Sequence, residues 1–96
     1  MAQSKASRAR RANDSARLAA HCAYQLLRLR AHTGETQKQL AVRLRMTESM
    51  ISRLERGDHL PSLKTLCRIA DAFALRLSIG FDPRERLPAA RSGQGG

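Results

Sequence analysis

Residues 36–57 read TQKQLAVRLRMTESMISRLERG, and this stretch decides the fold. It spells two short helices joined by a tight turn. Thr36 stands before the first helix with Gln39 three residues on, the spacing of a capping box. Leu40, Ala41 and Leu44 form that helix's apolar stripe. Arg45-Met46 makes the turn, Thr47 caps the next helix, and Gly57 follows its last residue, Arg56, as a stop. Around the second of these helices, Ile51 and Leu54 share one side. Glu48, Ser49, Ser52, Arg53 and Arg56 share the other. Short hydrogen-bonding side chains beside an Arg, on a rod that fits a DNA major groove, suit the reading of base edges.

The pattern extends in both directions. Upstream, residues 15–33 predict a helix with Ala19, Cys22, Leu26 and Leu29 on its inner face, stopped by Gly34. Residues 1–14, MAQSKASRARRAND, read as a disordered basic arm, either following DNA or simply solvated. Downstream, DHLP is a loop, and Ser62 caps a fourth helix with Leu63, Leu66, Cys67, Ala70 and Phe73 facing inward. Leu75, Leu77, Ile79 and Phe81 then alternate with Arg76, Ser78, Gly80 and Asp82. That period of two predicts a strand over 75–82, with a short fifth helix as the alternative. A lone strand needs a partner from a second copy or another protein. Residues 83–96 read as a disordered tail.

The chain of 96 residues fits one domain, 15–82, between its two tails. Its formal charge of +10 points to a polyanion. Of 18 basic residues, 15 are Arg, the better partner for phosphate and guanine. Residues 18–82 alone are net +4, so the core is basic without its tails. Cys22 and Cys67 form no CxxC pair and read as reduced core thiols rather than a disulfide. The three His have no metal-ligand spacing with them. No Gly-rich phosphate loop or nucleophile–base pair appears, so neither catalysis nor a cofactor is expected. No apolar run is long enough for a membrane span, and there is no signal-peptide core.

Taken in order, Leu29-Arg30, Gly34, Thr36-Gln37, Leu40-Ala41, Ile51 to Gly57, Pro61-Ser62-Leu63 and Leu66 with Ile69-Ala70 resemble the phage-repressor/Cro-type (XRE) helix-turn-helix family. The resemblance covers residues 22–75. It implies a mainly α fold: a four- to five-helix Cro/repressor-like bundle with one short C-terminal β-strand pairing across a dimer. It further implies DNA contacts from Gln37, Lys38, Thr47, Glu48, Ser49, Ser52, Arg53 and Arg56, with Gln37 clamping the phosphate backbone. Arg30 and Glu55 match a family ion pair. Leu75, Leu77, Ile79 and Phe81 would join two protomers, as in an antitoxin-like branch. The expected function is a sequence-specific double-stranded DNA-binding transcriptional regulator, a repressor. It would read a palindromic operator as a homodimer with helix 47–56, in a bacterial or phage cytoplasm at the nucleoid. The alternative is an antitoxin that binds a protein toxin and autoregulates its operon. Two positions depart from the family pattern: Arg45 stands where the turn usually has Gly, and Glu35 where an apolar residue is usual.

Overall fold

The computed structural model describes residues 4–83. Four helices follow one another: α1 Lys5–Thr33, α2 Gln37–Leu44, α3 Glu48–Arg56 and α4 Leu63–Ala72. Each begins at a hydroxyl that accepts a backbone N–H. Ser4 takes that of Ser7, Thr36 that of Gln39, Thr47 that of Met50, and Ser62 that of Thr65. Gln39 returns the favour at α2 by accepting the Thr36 N–H at 2.8 Å, completing the box. Gly34 and Gly57 close α1 and α3 in the left-handed region, as their positions predict.

Leu26, Leu40, Ala41, Leu44, Ile51, Leu54 and Ile69 form the core. Leu40, Leu44 and Ile51 are the most enclosed, each worth about 1.5–3 kcal/mol of burial. Gly57 packs against the small-residue face of α1. A Cβ there would meet the Ala20 Cα and the Ala23 Cβ at 3.4 Å.

Two expectations need correction, and a third is not shown. Residues 5–14, expected as a disordered arm, are the first turns of α1. The segment lacks apolar periodicity, but Ala and Arg are strong helix formers, nothing breaks the run, and Ser4 caps it. The inner face of α4 is also rotated from the expected one. Ile69 is buried and Ala72 and Phe73 pack on the core, while Cys67 is exposed and Leu63 is 60% exposed. This follows from α4 packing chiefly on α2, which leaves the Leu63 and Cys67 side outside. Finally, 75–82 is not a fifth helix, and no strand occurs among the described residues. A single protomer offers that segment no ladder to join. The tail expected over 83–96 lies, apart from Pro83, outside the described residues.

The chain leaves α4 through a left-handed residue that is not glycine, Ala74 (φ 56°). The Leu75 N–H reaches back to the Ala70 carbonyl at 2.8 Å, the wide bond of a Schellman turn. Residues 75–80 then run along an apolar groove of about 430 Å³, whose other walls include Cys22, Leu26 and Leu29 of α1 and Leu66 and Ile69 of α4.

Candidate nucleic-acid interface

With Ile51 and Leu54 inside, α3 turns Glu48, Ser49, Arg53 and Arg56 outward, and Ser52 is half-buried at the edge. Thr47 spends its hydroxyl oxygen on the Met50 N–H at 3.0 Å. Arg56 is engaged locally. Its Nε donates to Asp58 at 2.8 Å and one terminal nitrogen to the Ser52 hydroxyl at 3.0 Å. Glu48, Ser49 and Arg53 hold no side-chain hydrogen bond among the described residues. Arg53 is therefore the cation on this face that no protein carboxylate neutralises. Gln37 opens α2 half-buried, and Lys38 beside it is exposed. Both stand on the first turn of α2, where backbone N–H groups lack intrahelical partners.

The orientation of α3 is set by Glu55, on its inner edge. The side chain is only 5% exposed and receives three donors. Arg30 forks onto both carboxylate oxygens at 2.7 and 2.9 Å, and the Gln37 amide donates at 2.8 Å. The third nitrogen of Arg30 holds the Glu35 carbonyl at 3.0 Å. One buried carboxylate thus joins α1, the start of α2 and α3. Such a pair is costly to break, because removing Arg30 leaves the charge of Glu55 desolvated and short of donors. The Arg30–Glu55 contact was legible from the resemblance. The inward tie of Gln37 was not: that residue reads as a DNA clamp, whereas its amide also completes the donor set of Glu55.

A second ion pair has no signature in the helical periodicity. Arg43 forks onto Glu35 at 2.8 and 2.9 Å, lies over the Phe73 ring at 4.7 Å, and donates to the Ala72 carbonyl at the end of α4. The Thr33 hydroxyl adds a bond to Glu35 at 2.8 Å. These donors, Arg43 first, hold the Glu35 carboxyl below its ordinary titration range. The signal in the sequence was Glu35 itself, an acid in a usually apolar place with an Arg eight residues on.

A family model for a helix-turn-helix domain matches residues 16–77, more than half of the chain. Neither a curated protein nor a solved structure matches. Among the described residues no helix is long and apolar enough to cross a membrane.

Proposed function

The chain belongs to the helix-turn-helix domain family of the XRE/Cro type, a DNA-binding class, and from this we propose that it is a sequence-specific transcriptional repressor. It occupies a palindromic operator as a homodimer in the cytoplasm, with α3 in the major groove. The observation that carries this reading is Arg53: exposed, without a partner among the described residues, and mounted on a helix whose orientation Glu55 fixes. In this reading Arg53 pairs bidentately with guanine, and Glu48 accepts from cytosine N4. Ser49 and Ser52 serve nearby bases or phosphates. Gln37, Lys38, Thr47 and Arg56 hold the backbone on either side. Arg53→Ala is expected to cost about 1–3 kcal/mol on a selected operator and to relax preference at one base pair. Titration against operator and scrambled duplexes at one salt concentration measures both effects. Wild-type protein that binds the two DNAs equally well would refute sequence reading.

Dimerisation through Leu75, Leu77, Ile79 and Phe81 is supported by their exposure: Ile79 is 62% and Phe81 100% exposed, Leu75 is exposed and Leu77 half-buried. The same apolar residues support a second reading, an antitoxin whose toxin docks there. A toxin that strips the protein from DNA or reinforces its grip would favour it.

A further inference from the structure

The first turns of α1 form a basic rod with no buried side chain. From Ala19, which lies against Gly57 at the end of α3, out to Lys5, a rise of about 1.5 Å per residue gives an overhang of about 21 Å. Over residues 4–17 no side chain is buried, and the sequence there holds five cations, Lys5, Arg8, Arg10, Arg11 and Arg17, and one carboxylate, Asp14. Asp14 is half-buried and 3.7 Å from Arg17.

We infer that this overhang is a second DNA-binding element, a helical rail that lies along the phosphates flanking the site read by α3. The inference rests on the reading of α3 as the groove-entering helix. Three observations carry it. The first is direction. At about 100° per residue, the α1 face that meets Gly57 through Ala19, Ala20 and Ala23 continues outward through Lys5 and Arg8, while Arg11 and Arg17 lie past its edges and Arg10 and Asp14 on the far side. Lys5 and Arg8, with no acid beside them, therefore look the way α3 lies from α1. The second is depth. Packed helices sit about 8–10 Å apart, and the major groove is about 8.5 Å deep. With α3 at the groove floor, α1 rides at the height of the phosphate ridge, where charge counts and bases are out of reach. The third is composition. No residue of 4–17 is apolar and larger than Ala, so the rod has nothing to anchor in a lipid surface. At 3.4 Å per base pair, 21 Å of rail covers about 6 bp.

The test uses the full chain. Lys5, Arg8 and Arg11 all changed to Gln should lower the log–log salt slope of DNA binding by up to about 2.7, at about 0.9 per phosphate contact. The ratio of operator to scrambled affinity should not change. The difference from wild type should appear only once the duplex extends about 6 bp beyond the site read by α3. Ala12→Pro retains every charge but breaks the helix, and should lose most of the same slope. An unchanged slope in the triple variant overturns the proposal. So does wild-type behaviour of Ala12→Pro, which would make the segment a flexible tether. So does charge-dependent capture by phosphatidylserine vesicles with DNA binding unaffected. If wild type fails to distinguish operator from scrambled DNA, the reading of α3 fails instead, and the slopes on scrambled DNA still decide the rail.

Discussion

Arg45 and Gly57 adopt the same left-handed backbone at the ends of successive helices, with φ of 56° and 72°, but only one of them is the residue that conformation favours. At Arg45 the turn closes well: the Met46 N–H reaches the Ala41 carbonyl at 2.9 Å. Its Cβ nonetheless carries a cost of about 1–2 kcal/mol, partly offset because Gly would loosen the unfolded chain. Arg45→Gly is therefore expected to stabilise the fold by about 0.5–1 kcal/mol. Gly57→Ala should do the reverse, losing about 1–2 kcal/mol, since a side chain would be held in the left-handed region, its methyl only touching Ala20 and Ala23. Urea unfolding of the two variants beside wild type checks the opposite signs. A destabilised Arg45→Gly would show that the Arg side chain contributes more than its backbone costs.

At the scale of elements, Glu35 and Arg43 bind the approach to α2 to the end of α4, a tie that titrates. The folded-state carboxyl of Glu35 is held low, while in the unfolded chain it titrates near about 4.3. The tie thus contributes in full above that unfolded value and is lost as pH falls through the lower folded one. Glu35→Gln should be less stable than wild type at neutral pH and converge on it in acid. Thermal melts from pH 7 to pH 3 test this, and a gap that persists at the lowest pH would mean the loss is packing rather than charge. The tie also marks where sequence reading stops. Caps at Thr36, Thr47 and Ser62, stops at Gly34 and Gly57, and the stripes of α2 and α3 are local, and local chemistry writes them into the sequence at fixed offsets. Arg43 against Ala72 and Phe73, Gln37 against Glu55, and the rotation of α4 depend on where helices distant in the chain meet. No periodicity records that. The early start of α1 rests on propensity and one cap, without an apolar face to announce it.

At the scale of the whole molecule, one protomer presents one α3, and a palindromic operator calls for two about 34–36 Å apart. The proposed joint is the 75–82 segment. Its first residues already line the groove between α1 and α4, so the helices fix where the segment leaves the bundle. Leu75, Ile79 and Phe81 remain open to water, a surface that pairing with a second copy would cover. Pairing two such segments antiparallel about a two-fold axis would satisfy one backbone edge of each and set the spacing of the recognition helices together. Ser78→Pro or Ile79→Pro removes a ladder donor without touching the core residues Leu40, Leu44 and Ile51. Both variants should keep the helical circular dichroism of wild type, sediment as monomers where wild type is dimeric, and bind a full operator no better than a half-site. A proline variant that stays a tight dimer with full operator affinity would place the joint elsewhere, on the helices.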